Sequence, residues 1–228
     1  MITPYSCASG QEYILRYGEK NTTQIIIIQP FFEEHNRLRQ VIVSIMCGLN
    51  AAGIGTALPD LPGTGESLIP ISTVTFNAWR AALSAAAAAV RPNHGPLLAM
   101  SFRSGALIDD AAGADALWRC APETGQRVVR DLLRTRLAGG AKAMTNSDGM
   151  VDLAGYKLQQ SLLDSISAAV PGTTHPTRVA RLKTDAASAD VQLEGSPVWR
   201  RSEPGDDPIL CDAIIADVLA WVKTCAVS

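Results

Sequence analysis

A nucleophile held at a sharp turn between a strand and a helix stands clear of the sheet, and in the pattern Gly-x-Ser-x-Gly the flanking glycines let that turn close. Ser101-Phe-Arg-Ser-Gly105 has the outline of this pattern with Arg103 at its centre. A guanidinium stays protonated and cannot attack a carbonyl, so serine chemistry does not run from position 103. Ser101 and Ser104 flank it as the available hydroxyls, and Ser101 is equally suited to capping the backbone. A serine nucleophile also needs a base, normally histidine, and a carboxylate to orient it. Of the three histidines, His35, His94 and His175, only His35 falls in a loop that follows a strand. Asp185 follows a late strand, where an orienting acid belongs, and Gly195 to Ser202, where the base belongs, contains no histidine. Backbone amides near Phe31 or Phe102 are the candidates for stabilising an oxyanion.

The charged residues offer a second chemistry. Arg127, Arg130 and Arg134 share one helical face by their spacing, and with Arg103 they could clamp an anion through paired guanidinium hydrogen bonds. The plainer alternative is a solvated face paired with Glu123 and Asp131. Glu33 and Glu34 are equally available as arginine partners, which would make the site a buried ionic network. Adjacent residues rarely converge on one ion, so Glu33, Glu34 and His35 do not suggest a metal centre. The turn Asp60-Leu-Pro-Gly-Thr-Gly-Glu-Ser67 has neither a Walker lysine nor Gly-x-Gly-x-x-Gly spacing, and reads as a compact structural turn. No cofactor is expected.

These residues need a scaffold, and the hydrophobic pattern supplies one. Gln24-Ile-Ile-Ile-Ile-Gln29 is the apolar run of a strand buried on both faces of a parallel sheet. Leu38, Val41, Ile42, Ile45, Met46 and Leu49 predict a helix over 37–52, and strands follow at 55–60, 96–100 and 116–120, with helices over 76–90 and 106–112. Helical stretches over 123–138 and 159–169 flank a connection with no clear strand. Strands at 178–183 and 190–194 and a helix over 207–224 close the chain. This alternation predicts a doubly wound, mostly parallel α/β sheet, whose ligands bind beyond the strands' carboxyl ends. The expected division is a core first part over 1–122, a helical cap insertion over 123–175 and a core last part over 176–228.

With 228 residues, 47% hydrophobic and 18% charged, the chain can bury a sizeable core. A net charge of −2 lacks the basic footprint of a nucleic-acid binder. Five cysteines without a Cys-x-x-Cys pair fit a reducing compartment, and with no signal-like or membrane-length apolar stretch the expected location is cytoplasmic. The expected partner is a small, anionic molecule, and a homodimer is left open.

Taken in order, the motifs resemble a known family. Gln29-Pro-Phe-Phe-Glu-Glu-His-Asn36, the turn ending in Ser67, Phe102-Arg-Ser-Gly105, Trp118-Arg-Cys-Ala-Pro-Glu-Thr-Gly-Gln126, Leu132-Leu-Arg-Thr-Arg-Leu-Ala138, Ala154-Gly-Tyr-Lys-Leu158 and Gly195-Ser-Pro-Val-Trp199 resemble segments of the exosortase A system-associated hydrolase 2 type of α/β-hydrolase. In that family arginine also replaces the serine of the turn. The resemblance implies an α/β-hydrolase fold with a small helical cap, in a bacterial cytoplasmic protein associated with exopolysaccharide and exosortase gene sets. It implies a hydrolase of ester or acyl bonds, with Ser101, Ser104, His35 and Asp185 as its players. The alternative is a catalytically silent relative that binds an anion under the cap through Phe31, Glu33, Glu34, Arg103, Arg127, Arg130 and Trp199.

Overall fold

A computed structural model describes residues 1–138, 149–153 and 155–225. Its centre is an eight-stranded sheet in the order β1-β2-β4-β3-β5-β6-β9-β10. Strands β1 (Ile2–Cys7) and β2 (Gly10–Tyr17) form an antiparallel hairpin at one edge, and β2 runs antiparallel to β4 (Gly55–Pro59). The remaining strands, β3 (Gln24–Ile28), β5 (Leu97–Phe102), β6 (Leu117–Cys120), β9 (Thr177–Leu182) and β10 (Val191–Leu193), extend the sheet in parallel. Their carboxyl ends therefore gather along one rim. The N-terminal hairpin is not visible in the hydrophobic pattern because its few buried residues, Tyr5, Glu12 and Ile14, are separated by exposed or half-buried ones instead of forming an apolar run.

The isoleucines of β3 divide the molecule into two cores. Ile25 and Ile27 face α1 (Glu33–Ala51) and α5 (Pro208–Cys225), while Ile26 and Ile28 face α2 (Phe76–Val90). Alternate side chains of a strand point to opposite faces, so a run of four isoleucines serves both layers. The predicted helical stripe from Leu38 to Leu49 is buried throughout. The helix begins earlier than the apolar spacing indicates, at Glu33, whose carboxylate and that of Glu34 complement the helix dipole in the first turn. His35 consequently sits in a helix rather than a loop. In α2, Thr75 Oγ1 accepts the Ala78 N–H at 3.1 Å and caps the first turn.

Beyond β5 the expected helix is replaced by two short 3₁₀ turns, Arg103–Leu107 and Asp109–Ala112, the second ended by Gly113 with φ of 56°. Asp109 is fully buried in a bidentate ion pair with Arg119, which draws this segment inward. Gly105 is obligatory here, because a Cβ would lie 2.6 Å from the Ile28 carbonyl oxygen and 2.7 Å from that of Gln29.

Between β6 and β9 the chain inserts α3 (Gly125–Ala138), an antiparallel hairpin of β7 (Met150–Leu153) and β8 (Tyr156–Gln159), and α4 (Gln160–Ala168). The hairpin is a difference from the strandless connection expected here, most of which lies outside the described residues, as does Ala154. The chain has no β-branched run there to signal strands. Helices α3 and α4 pack so closely that a Cβ on Gly125 would fall 1.6 Å from the Ile166 carbonyl oxygen. Gly125→Ala is expected to push the two helices apart and destabilise the fold by about 1–3 kcal/mol, as overpacking does. Urea denaturation measures this, and an unchanged midpoint would contradict the packing. Among the described residues, no helix is long and apolar enough to cross a membrane.

Candidate functional site

Among the described residues, three non-glycine residues adopt positive φ, and all three follow strands at the carboxyl rim: Phe32 (57°) after β3, Arg103 (53°) after β5 and Ala121 (45°) after β6. Such conformations cost on the order of 1–3 kcal/mol each and persist where the surroundings impose them, commonly at functional sites. Arg103 thus sits at a strained turn directly after β5, the elbow of this chain, with Phe102 before it still extended.

The guanidinium is almost wholly buried and fully engaged. Its Nε and Nη2 donate to the two oxygens of Glu34, each at 3.2 Å. Nη1 donates to the Ala121 carbonyl at 3.1 Å, and Nη2 also makes a close ion pair with Glu123. The Trp199 ring lies 4.9 Å from the guanidinium carbon, a cation–π distance. Burial alone would weaken this cation, but Glu34 and Glu123 outweigh it and raise the Arg103 pKa further. The Glu34 carboxyl is raised from its ordinary range because burial outweighs the help of Arg103, with Glu123 and Asp131 adding repulsion.

The neighbouring hydroxyls are committed elsewhere. Ser104 Oγ accepts the Phe31 N–H at 2.8 Å, so this one of the two amides expected to meet an oxyanion is already paired. Ser101 Oγ donates to Asp109 Oδ2 at 2.7 Å, beneath the elbow. His35 lines a separate cavity of about 20 Å³ with Gln29, Leu61 and Trp79, and its pKa is lowered to about 4 by burial and then by Arg39, against the pull of Asp60. It is neutral at physiological pH. Asp185 accepts the Ala187 N–H at 3.1 Å and Arg181 Nη1 at 2.8 Å, and these hold its pKa below the usual carboxylate range against its partial burial. Among the described residues, no serine hydroxyl is hydrogen-bonded to a histidine ring. The four sequence-derived catalytic candidates are therefore distributed over different surroundings.

What the rim does enclose is a cavity of about 250 Å³ between the elbow, the start of α1 and α3. Phe31, Glu33, Glu34, Arg103, Arg127 and Trp199 line it together, whereas Arg130 is exposed on α3 outside it. Tyr156 of β8 closes on the start of α1, its hydroxyl donating to Glu33 Oε1 at 3.0 Å and its ring packing 5.4 Å from Phe32. Arg127 pairs with Glu123 at 3.2 Å, and Arg134 with Asp131 at 3.6 Å, so part of the α3 arginine face has the local partners that its spacing allowed. Glu123 is expected on the sequence to pair with the α3 arginines, as it does with Arg127, and its second link to Arg103 at the elbow is a contact between segments that the helical spacing does not carry. The Asp60–Ser67 turn is tied internally: Thr64 Oγ1 accepts the Leu61 N–H at 2.9 Å and Ser67 Oγ accepts that of Gly63 at 2.9 Å.

The strand order, the elbow after β5 and the insertion after β6 define an α/β-hydrolase fold, and solved structures agree. The chain is similar to α/β hydrolase domain-containing protein 10 from mouse (TM-score 0.65, 14% identity, covering 98% of this chain and 99% of that one). It is also similar to Est1E from Butyrivibrio proteoclasticus with ferulic acid bound (TM-score 0.63, 18% identity, 97% and 96% covered), and to a malate-bound thermophilic esterase from Thermogutta terrifontis (TM-score 0.60, 13% identity, 99% of each chain covered). No protein-family model matches the chain, and no curated protein matches its sequence.

Proposed function

We propose that this protein is a hydrolase-fold binding protein, which takes a small anionic molecule into the cavity between the elbow and α3 without forming a serine acyl-enzyme. One observation carries the reading: the apex of the elbow is an arginine buried between Glu34 and Glu123. Ser104 holding the Phe31 amide supports it, since that bond occupies one of the two donors expected to serve an acyl transition state. The insertion acts as the cap over this cavity. The finer setting suggested by the motif resemblance, a bacterial cytoplasmic protein working with exopolysaccharide and exosortase systems, belongs to the same proposal, and a homodimer is compatible with it.

The fold shared with esterases favours a second reading, hydrolysis of an ester or acyl bond. In its covalent form this requires Ser101 or Ser104 with His35 and Asp185. In a non-covalent form the buried carboxyl of Glu34, held above its ordinary pKa, is the group suited to activate water. A fluorophosphonate probe and p-nitrophenyl acetate separate the readings. We expect no labelling and no turnover, together with calorimetric binding of ferulate or malate that Val128→Trp abolishes by filling the cavity. Labelling lost in the Ser101→Ala, Ser104→Ala double variant would establish serine chemistry instead, and turnover lost in Glu34→Gln would establish the carboxylate route.

A further inference from the structure

Most of the charges that line the cavity between the elbow and α3 are already matched. Glu34 and Glu123 pair with Arg103, Glu123 also with Arg127, and Asp131 with Arg134. Among the described residues, Glu33 and Arg37 of the lining make no ion pair, and only Arg200, which is exposed to solvent, shares that state.

Glu33 and Arg37 lie one turn apart on α1, the acid N-terminal to the base, which is the arrangement that ordinarily closes into a pair. Contacts from two other parts of the fold hold it open. The Tyr156 hydroxyl of β8 donates to Glu33 Oε1 at 3.0 Å, and Arg37 Nη1 donates to the Trp199 carbonyl at 3.2 Å. Both charges act on the Tyr156 hydroxyl, whose pKa is raised by burial and by Glu33 and lowered by Arg37. Glu33 Oε2 and Arg37 Nε and Nη2 have no hydrogen-bond partner among the described residues, and none of the three is sealed inside the wall. One cavity thus presents a carboxylate and a guanidinium side by side, each fixed at one atom and open at another.

We propose that this cavity binds a small α-amino acid, with its ammonium on Glu33, its carboxylate on Arg37 and an apolar side chain against Phe32, Val128 and Leu132. A ligand that closes the cavity takes both protein charges out of water, so a carboxylate alone would leave Glu33 uncompensated and an amine alone would leave Arg37 uncompensated. Side chains four residues apart on a helix are neighbours, with Cβ atoms about 5–6 Å apart, which suits opposite charges carried on one carbon of the ligand. The assignment rests on the pocket reading above and narrows its anionic ligand to a carboxylate accompanied by an ammonium.

The test is calorimetric titration with L-phenylalanine and with two analogues that each lack one charge, 3-phenylpropionate and phenethylamine. Phenylalanine is expected to bind at least about tenfold more tightly than either, the effect of one charged hydrogen bond. Glu33→Gln keeps an acceptor for the Tyr156 hydroxyl and is a good helix former; it should lose the preference over 3-phenylpropionate while still binding 3-phenylpropionate, which shows the cavity intact. Arg37→Gln should in the same way lose the preference over phenethylamine. Phenylalanine binding no tighter than that of 3-phenylpropionate, a preference that survives in Glu33→Gln, or phenylalanine binding that survives Val128→Trp overturns the proposal. If 3-phenylpropionate binds, is blocked by Val128→Trp and is matched but not exceeded by phenylalanine, the amino-acid assignment fails and the pocket reading stands. If no carboxylate binds, ferulate and malate included, the pocket reading fails with it.

Discussion

Arg103→Ala is expected to cost about 3–5 kcal/mol of folding stability at neutral pH, because it leaves Glu34 and Glu123 facing one another without the cation between them. Glu123 retains Arg127, but that partner is half exposed and makes a single contact. The loss should depend on pH in a defined direction. Without Arg103 the folded-state pKa of Glu34 rises further above the unfolded value of about 4.3, because the cation that offsets its burial is gone. The native state then binds more protons than the unfolded state, so stability falls as pH rises through the window between the two values and is recovered below it. Glu34 is already raised in the wild-type protein, which gives the same sign with smaller amplitude. Urea denaturation of both proteins at pH 4 and pH 7.5 should show the gap between them shrinking on the acid side. An equal gap at both pH values would mean that the carboxylates are not what the arginine compensates. Arg103→Lys should fall between, keeping the charge but not the bidentate geometry.

The same network shows what a sequence discloses and what it conceals. The isoleucine run of β3 and the stripe from Leu38 to Leu49 carry period and burial on their face, so the parallel sheet and its flanking helices are readable, whereas the α/β-hydrolase fold is implied only by the motif resemblance. Arg103 at the elbow is readable because the motif around it is local. Of its partners, Glu34 is open as an arginine partner on the sequence, but Glu123 reads only as a partner of the α3 arginines; they lie 69 and 20 residues away, and only the closed sheet brings both to Arg103. His35 reads as a loop residue because the apolar stripe begins at Leu38, whereas the helix is extended backward by Glu33 and Glu34 at its dipole. The β7–β8 hairpin is invisible because its strands are short and pair chiefly with each other. Arg119 looks like an intrusion in an apolar strand until Asp109 is placed opposite it.

That buried pair yields the second large effect. Arg119 Nε and Nη2 donate to Asp109 Oδ2 and Oδ1 at 2.7 and 2.8 Å, with side-chain exposures of 5% and 1%. Ser101 Oγ adds a third bond to the aspartate, and Arg119 Nη1 reaches the Gly172 carbonyl at 2.8 Å, joining β5, β6 and the approach to β9. Arg119→Met should lose about 3–5 kcal/mol by leaving a carboxylate buried with one hydroxyl. At about 2–4 °C per kcal/mol for a chain of this size, Tm should drop by roughly 10 °C. Asp109→Leu should cost a similar amount by leaving the guanidinium buried. The double variant should be far less damaged than the sum of the two, because removing both charges removes the desolvation that their attraction offsets. Additivity in that cycle would show that the pair contributes packing rather than charge compensation. Because Ser101 lies on β5 two residues before Arg103, a loosened pair should also disturb the elbow. Arg119→Met is therefore expected to weaken ferulate or malate binding in the cavity beside the elbow even though Arg119 does not line it.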